Sequence, residues 1–264
     1  GAGDEVVYAW RSFEAYPQLV IGAGARPVTV PLTSASVHDL AGLAAAVTDR
    51  TGCVVICNPN NPTGTVVTAA ALEALMAQVP PTVTVILDEA YWQFDDDPAS
   101  PVGIDFYRRY PNLVVCHTFS KAYGLAGLRV GYAIAPAALA EQVRKLTVPF
   151  GVTNLAQRAA LASLEVQTEL DQRVADLISR RQQVTSALAA QGWAIPVSRA
   201  NFIWLPTGRR TAEVAAQLDQ QGLTSRVFAG EGIRTSIGEE AAMETFVRLC
   251  GQLIDQFPEL SQRS

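Results

Sequence analysis

A lysine in the turn after an apolar run has the clearest capacity for chemistry in this sequence. Lys121 follows Ser120, and both lie just beyond the apolar residues 113–116. A lysine amine that is removed from water has a lowered pKa, so it can form a Schiff base or transfer protons. The hydroxyl of Thr118 and the guanidinium of Arg129 are groups that bind a phosphate monoester. This stretch therefore predicts a phosphate-bearing ligand beside a reactive lysine.

Two further polar clusters follow apolar runs that are typical of buried strands. Asn61 lies in the turn NPNNPTG, which follows residues 54–57, and Asp88 closes the run 83–87. In open α/β sheets, ligands bind outside the carboxyl ends of the strands. We therefore expect Asn61, Asp88 and Lys121 to meet in one crevice.

Alternating strand and helix patterns predict an α/β fold for the first part of the chain. The β-branched runs 54–57 and 83–87 are typical of strands that are buried on both faces. Between them, apolar residues at helical spacing predict a helix over residues 68–79. We expect a mainly parallel sheet with helices on both faces, followed by a smaller α+β domain at the C-terminus.

The second part of the sequence predicts a linking helix and that small domain. The chain is interrupted at Pro149, so the predicted domains are residues 1–149 and 150–264. A long helical pattern covers residues 154–191 and ends at Gly192, a typical C-cap residue. Further strands are expected at 193–195, 202–205 and 233–237, and further helices at 212–221 and 239–257.

Composition and charge are those of a soluble globular protein that acts on small molecules. Of the 264 residues, 49% are hydrophobic and 17% are charged, with a net charge of −5, as in ordinary globular chains. No basic run indicates a nucleic acid or an anionic membrane as partner, and no apolar run could span a bilayer. We expect a cytoplasmic protein. The four cysteines lack a CxxC spacing, which favours reduced thiols over a disulfide or a metal site.

Five motifs in register carry a resemblance to a known family. They are NPNNPTG, LDEAY, TFSKAYGLAGLRVGY, NFIWLP and GIRTSIG, in this order. They resemble the fold-type I pyridoxal-phosphate aminotransferases, in the branch of the histidinol-phosphate enzymes and their aromatic (phenylalanine-type) relatives. The resemblance extends from about Asp4 to the C-terminus. The family's N-terminal arm, first helix and strand, and glycine-rich phosphate turn would lie before Gly1.

The resemblance implies pyridoxal 5′-phosphate as the cofactor, with Lys121 as its covalent attachment point and as a proton carrier. Asp88 would pair with the protonated pyridine nitrogen, so that the ring can accept electrons. Arg234 lies in a strand of apolar and hydroxyl residues, and the substrate carboxylate is its implied partner. The implied catalytic residues are Lys121, Asp88 and Tyr91. The implied cofactor-binding residues are Phe13, which stacks on the ring, Asn61, Asp88, Tyr91, Thr118, Ser120, Lys121 and Arg129, and the substrate-binding residues are Asn61, Asn201 and Arg234.

The implied reaction is a ping-pong transamination between an amino acid and 2-oxoglutarate, with glutamate as the other amino acid. Family members are homodimers with sites at the subunit interface, so a homodimer is expected. A decarboxylase of the same fold, of the threonine-phosphate type, is an alternative that these residues do not separate from a transaminase. A truncated core that binds without turnover is a further alternative.

The implied substrate is either an aromatic amino acid or histidinol phosphate. The text WRSFE at residues 10–14 is more similar to the aromatic relatives than to the Pro-Pro-Thr-Tyr text of many histidinol-phosphate enzymes. Arg11 is a candidate cation for a substrate phosphate. On balance we expect an aromatic amino acid.

Overall fold

The larger of two sheets has six strands in the order β2-β1-β3-β4-β5-β6. The computed structural model describes residues 1–261. Strands β1 to β5 pair in parallel, and β6 is antiparallel to β5, which confirms the predicted mainly parallel sheet. The strands are β1 (Glu5–Trp10), β2 (Arg26–Pro31), β3 (Thr51–Cys57), β4 (Thr84–Asp88), β5 (Leu113–Thr118) and β6 (Gly131–Ile134).

Helices cover both faces of this sheet, as the apolar strand runs predict. Successive side chains of a strand point to opposite faces. In β3, Val54 and Ile56 pack in one cluster with Leu43 and Leu72, while Val55 packs in another cluster on the other face. The helices of this part are α1 (Ala15–Gly22), α2 (Leu40–Ala45), α3 (Ala69–Gln78), α4 (Gly103–Tyr107) and α5 (Ala137–Lys145).

The carboxyl ends of three central strands are aligned with one another. Cys57 of β3 pairs with Asp88 of β4, and Asp88 pairs with Cys116 of β5. The alignment continues into the loops, because Asn58 N donates to Asp88 O at 2.9 Å and Glu89 N donates to Cys116 O at 3.0 Å. The polar residues that follow these strands are therefore brought to one edge of the sheet.

The second part of the chain builds a smaller α+β unit. Its three strands are antiparallel, in the order β7-β9-β8, and the long helix α7 packs with α9 against them. The division of the chain at residues 149 and 150 stays a prediction. The elements are α6 (Asn154–Glu165), α7 (Gln167–Gln191), β7 (Phe202–Leu205), α8 (Thr211–Gln220), β8 (Arg226–Phe228), β9 (Gly232–Ser236) and α9 (Glu240–Gln256).

Two predictions for this part were wrong, and one strand was missed. The helix predicted over 154–191 is two helices, because the chain leaves helical geometry at Val166 (φ −107°, ψ 33°); no glycine or proline marks that point. The strand predicted at 193–195 is a single bridge from Trp193 to Ser261. Strand β8 was missed because three residues are too short for a periodic pattern. The C-cap at Gly192 is confirmed, with a left-handed φ of 100°.

A buried arginine joins α7 to the loop after β4. Arg181 is 1% exposed, and its guanidinium donates to the carbonyl oxygens of Phe94 at 2.8 Å and Ala200 at 3.0 Å and to the carboxylate of Asp96 at 2.6 Å. Arg199 also donates to Asp96, at 2.7 Å. The two parts of the chain are therefore connected through buried polar contacts as well as through the backbone.

Apolar side chains are exposed along α5, α6 and the segment between them. Phe150 is fully exposed and Leu146 is 87% exposed. Within residues 1–261, no helix is both long and apolar enough to cross a membrane. Contiguous exposed apolar surface commonly marks a contact surface. Other members of this patch are Val143, Val148, Val152, Leu155, Leu161, Leu164 and Val166.

Replacement of Arg181 by methionine is expected to lower the free energy of unfolding by about 3 kcal/mol, the scale of a broken buried ion pair. The cause is that the carbonyls of Phe94 and Ala200 lose their donor. In the matched control, Arg210→Met, the lost partners are the partly exposed Glu259 and Glu213, so a clearly smaller loss is expected. Urea unfolding measures both, and equal losses would contradict the role given to Arg181.

Candidate active site

A cavity of about 570 Å³ opens at the carboxyl ends of β4 and β5. Its walls combine the apolar face of the sheet with a group of polar side chains. Six residues singled out from the sequence lie on it: Phe13, Asp88, Thr118, Ser120, Lys121 and Arg129. The predicted convergence of the Asp88 and Lys121 clusters is therefore what the structure has.

Lys121 is partly buried, and its Nζ lies 5.1 Å from the centroid of the Tyr91 ring. Burial lowers the pKa of Lys121, and the positive charge of Arg234 acts in the same direction, while Asp88 opposes them. A lowered pKa enlarges the fraction of neutral amine near neutral pH. The neutral amine is the form that attacks a carbonyl carbon or accepts a proton.

Asp88 ends β4 with its carboxylate turned into the cavity. The Tyr16 hydroxyl donates to Oδ2 at 2.7 Å, and Ala90 N donates to Oδ1 at 3.2 Å. Burial raises the pKa of Asp88, while the hydrogen bonds from Tyr16 and Ala90 and the charge of Lys121 lower it. Burial outweighs these partners, so a cation placed beside the carboxylate would stabilise its charged form.

Tyr16 is a site residue that the sequence reasoning missed. It lies in α1 and is buried, and burial raises its pKa well above the ordinary value for tyrosine. Its ring packs edge to face with that of Phe13 at 5.6 Å, so Phe13 and Tyr16 reach the cavity together. Phe13 lies just before α1, so no helical spacing linked these two residues in the sequence.

The residues expected to hold a phosphate lie around the turn after β5. Thr118 Oγ1 accepts a hydrogen bond from Ser120 N at 3.0 Å, which fixes the start of the turn. Arg129 is exposed, has a left-handed φ of 54° and donates to the Ala126 carbonyl at 2.7 Å. A left-handed conformation costs a residue other than glycine about 1–3 kcal/mol and persists mainly at functional sites. The turn therefore presents hydroxyls and a guanidinium at one end of the cavity.

Arg234, like Asn61, Tyr91 and Asn201, is not among the residues that line the cavity. Its charge nevertheless acts on Lys121, and part of its guanidinium is unpaired. Its Nη1 donates to Asn61 Oδ1 at 2.7 Å, and its guanidinium lies 5.0 Å from the ring of Phe202. Within residues 1–261, its buried Nε has no hydrogen-bond partner. A buried unpaired donor on a cation is costly, so this geometry suits an anionic ligand.

Tyr91 and Asn201 lie near this arginine. Tyr91 is buried, its ring is 5.0 Å from that of Phe202 in an edge-on contact, and burial raises its pKa while the charge of Arg234 opposes the shift. Asn201 immediately precedes β7, and its carbonyl accepts from Ile237 N at 2.9 Å. This places Asn201 next to the strand that carries Phe202.

The segment that carries Phe13 is tied to the Asn-Pro turn by the side chain of Asn60. Asn60 Oδ1 accepts from Ser12 Oγ at 2.8 Å and lies 2.9 Å from His38 Nε2, while its Nδ2 donates to the carbonyl of Arg11 at 3.2 Å. His38 is buried, and burial lowers its pKa to about 4, so it is neutral in this network. No sequence pattern indicated the contact between His38 and Asn60, which are 22 positions apart.

His117 also lies on the wall of the cavity. Its Nε2 is 2.7 Å from the carboxylate of Glu89, its Nδ1 is 2.9 Å from the hydroxyl of Tyr132, and its ring stacks on Trp92. Glu89 also accepts from Gly103 N at 3.1 Å. These contacts fix the turn between Asp88 and Tyr91.

Known proteins resemble this chain in sequence. The profile of the family Aminotransferase class I and II matches residues 1–251. An aromatic amino acid aminotransferase of Streptomyces coelicolor is 54% identical over 249 residues, which are 94% of this chain and 69% of that protein. A second, from Cutibacterium acnes, is 46% identical over 254 residues, which are 96% of this chain and 72% of the relative.

Solved structures resemble the chain over almost its whole length. Histidinol-phosphate aminotransferase from Sinorhizobium meliloti, in complex with pyridoxal-5′-phosphate, is 30% identical with a TM-score of 0.84 and covers 97% of this chain and 71% of its own. A putative histidinol-phosphate aminotransferase from Erwinia carotovora is 25% identical with a TM-score of 0.87, over 96% of this chain and 75% of its own. The fold is thus similar to that of solved aminotransferases.

Without cofactor, Asp88→Asn is expected to be more stable than the wild type at neutral pH. The folded pKa of Asp88 is raised by burial, so the wild type loses stability as the pH rises through that value, and the loss persists at neutral pH. Asparagine has no such proton to release. The difference in the free energy of unfolding between the variant and the wild type should therefore shrink in acid. Urea unfolding at neutral and acidic pH measures this. Asp105→Asn, at an exposed carboxylate, is the control, and a wild type more stable at both pH values would contradict the expectation.

Proposed function

Because the chain belongs to the class I and II aminotransferases, we propose that it transfers the amino group of an aromatic amino acid to 2-oxoglutarate with pyridoxal 5′-phosphate as cofactor. The observation that carries the proposal is that Asp88, Lys121 and the hydroxyl-rich turn lie on one cavity. Arg234 is close enough for its charge to lower the pKa of Lys121. A carboxylate, an amine and a guanidinium thus lie within reach of one amino acid.

The residues around the cavity fit the cofactor. Asp88 has a carboxylate for which burial outweighs its present partners, and it would hold the protonated ring nitrogen. Thr118, Ser120 and Arg129 would hold the phosphate, Asn61 and Tyr91 the phenolic oxygen, and Phe13 would stack on the ring. When bound, pyridoxal phosphate supplies an electron-accepting ring that stabilises negative charge at the substrate Cα.

Lys121 has two tasks in this proposal. Its amine would hold the cofactor covalently between turnovers and, once displaced by the incoming amino acid, would take the proton from the substrate Cα. The low pKa that burial and Arg234 give to Lys121 favours the neutral amine that such a base requires. Tyr91, whose ring lies 5.1 Å from the Lys121 amine, limits where that amine can move.

Arg234 would bind the substrate α-carboxylate. Its Nε is buried and free for this contact within the described chain, while its Nη1 is oriented by Asn61. A guanidinium held in this way can accept a carboxylate through two parallel hydrogen bonds. The same arginine would bind the carboxylate of 2-oxoglutarate in the return half of the reaction, so we propose ping-pong kinetics.

An aromatic amino acid is favoured over histidinol phosphate as the substrate. Histidinol phosphate bears a phosphate ester in place of the α-carboxylate, so it needs more positive charge than an amino acid does. Arg11, the candidate second cation, is paired with Glu231 through two hydrogen bonds. The relatives named aromatic amino acid aminotransferases support the same choice.

Turnover of phenylalanine with 2-oxoglutarate to phenylpyruvate and glutamate tests the function. We expect kcat/KM for phenylalanine to exceed that for histidinol phosphate. Double-reciprocal plots of the initial rate at several 2-oxoglutarate concentrations should give parallel lines. Release of carbon dioxide without phenylpyruvate, or a preference for histidinol phosphate, would contradict the proposal.

Lys121 can be tested separately, because the sequence has only one other lysine, Lys145. Borohydride reduction of the loaded protein followed by peptide mapping should place the cofactor on Lys121. Lys121→Ala should reduce kcat by at least about 10²–10⁴-fold, as expected for loss of a general base, whereas Lys145→Ala, on the exposed α5, should not. A label on Lys145 would show that Lys121 was wrongly assigned.

We also propose that the protein forms a homodimer through the apolar patch of α5 and α6. A fully exposed Phe150 and a largely exposed Leu155 are unfavourable in water unless another surface covers them. Sedimentation velocity should give the mass of two chains, and Leu155→Arg should weaken the dimer, while Gln172→Arg, on α7, should leave it intact. A monomer at micromolar concentration would rule out this assembly.

A further inference from the structure

Two arginines besides Arg234 lie where the small sheet meets residues 10–14. Arg226 of β8 and Arg234 of β9 are cross-strand partners, so their side chains leave the same face of the sheet. Phe228 lies two residues after Arg226 and shares that face. The guanidinium of Arg11 lies 5.3 Å from the Phe228 ring. Three guanidinium groups are thus gathered at one face of the small sheet.

Two of these three cations are already neutralised by carboxylates from the opposite part of the chain. Arg11 binds Glu231 through both arms of its fork, with Nε donating to Oε2 at 2.8 Å and Nη2 donating to Oε1. Arg226 binds Glu14 in the same way, at 3.0 and 3.2 Å. Arg234 differs, because its side-chain partner is the neutral amide of Asn61.

The pair of Arg11 and Glu231 is held in a defined position. The Arg11 side chain is only 19% exposed, and its guanidinium lies 4.2 Å from the Trp10 ring as well as beside Phe228. Glu231 lies in the turn between β8 and β9, where its N donates to Phe228 O at 2.9 Å and its carbonyl accepts from Gly208 N at 3.0 Å. The guanidinium of Arg11 and the backbone of Glu231 are therefore held in place. The Glu231 side chain itself is 42% exposed, but its partner is better ordered than in an ordinary surface ion pair.

The one positive charge left without a carboxylate in this group, that of Arg234, matches a carboxylate better than a phosphate ester. A carboxylate carries one negative charge, which Arg234 alone balances, whereas a phosphate ester carries about −1.5 to −2 near neutral pH. A phosphate ester would need a second free cation, and Glu231 both occupies the fork of Arg11 and adds a negative charge nearby. We propose that Glu231 is a specificity-determining residue that makes the anchor of this enzyme select a carboxylate over a phosphate ester. The inference rests on the proposed function, since it assumes that Arg234 is the anchor.

A purely mechanical role for the same ion pairs predicts a different result. Both pairs connect residues 10–14 to the small sheet, so they could act only by holding the two parts of the chain together. In that case, loss of Glu231 would change the affinity for all anions by the same factor. A role in selection changes the ratio between anions of different charge.

The experiment compares two ligands that lack an amino group and therefore cannot react. They are 3-phenylpropionate and 3-phenylpropyl phosphate, which share the aromatic group and differ in the anion. Calorimetry on the protein loaded with pyridoxal phosphate should give tighter binding of the carboxylate by the wild type. Glu231→Gln, and Glu231→Ala as a second variant, should shift the affinity ratio about tenfold toward the phosphate ester, the equivalent of one charge-assisted hydrogen bond.

Two controls locate the cause of this shift. The double variant Arg11→Gln, Glu231→Gln should return the ratio to that of the wild type, because the released cation is gone. Glu73→Gln breaks another Arg–Glu pair, with Arg109 at 2.7 Å, and should leave the ratio unchanged.

Several outcomes would overturn the inference. These are an unchanged ratio in both Glu231 variants, a shift that persists without Arg11, a wild type that prefers the phosphate ester, or a wild type that binds neither ligand. Phenylalanine turnover is measured separately, so a failure of the proposed function is distinguished from a failure of this assignment.

Discussion

A carboxylate at the carboxyl end of β4 determines much of the surrounding arrangement. Asp88 is kept in an environment that disfavours its charge, and the Tyr16 hydroxyl and the Ala90 amide stabilise that charge only in part. Such a group is costly for a protein without a ligand. The alignment of β3, β4 and β5 holds Asp88 beside the lysine turn. Burial disfavours the charged carboxylate there in the free protein, and a cation bound at the same place would stabilise that charge.

The distribution of positive charge follows the same logic. The charge of Arg234 lowers the pKa of Lys121. Within residues 1–261, the buried Nε of Arg234 has no hydrogen-bond partner. Arg11 and Arg181, by contrast, donate to the carboxylates of Glu231 and Asp96. The unpaired donor of Arg234 therefore favours this residue as the place where an anion from outside the chain would bind.

The sequence predicted the parts of the site that lie at strand ends and missed those that depend on distant contacts. Asp88 and Lys121 could be placed because polar residues follow apolar runs whose parallel pairing brings their ends together. Tyr16 could not, since its partner Asp88 is 72 positions away. Arg11 looked like a free cation for the same reason, as its partner Glu231 is 220 positions away. The break at Val166 left no mark in the periodicity, because both helices beside it continue the apolar spacing.

The buried arginine of α7 shows why these distant contacts belong together. Arg181 donates to the carbonyl of Phe94, which follows Tyr91 in the loop after β4, and to that of Ala200, which precedes Phe202. The rings of Tyr91 and Phe202 meet at 5.0 Å, and Lys121 and Arg234 lie over these two rings, respectively. The Arg181 guanidinium thus connects the segment of Tyr91, which faces Lys121, to the segment of Phe202, which faces Arg234. Because its donors are directional, Arg181 links the packing of the small domain to the geometry of a site that it does not touch.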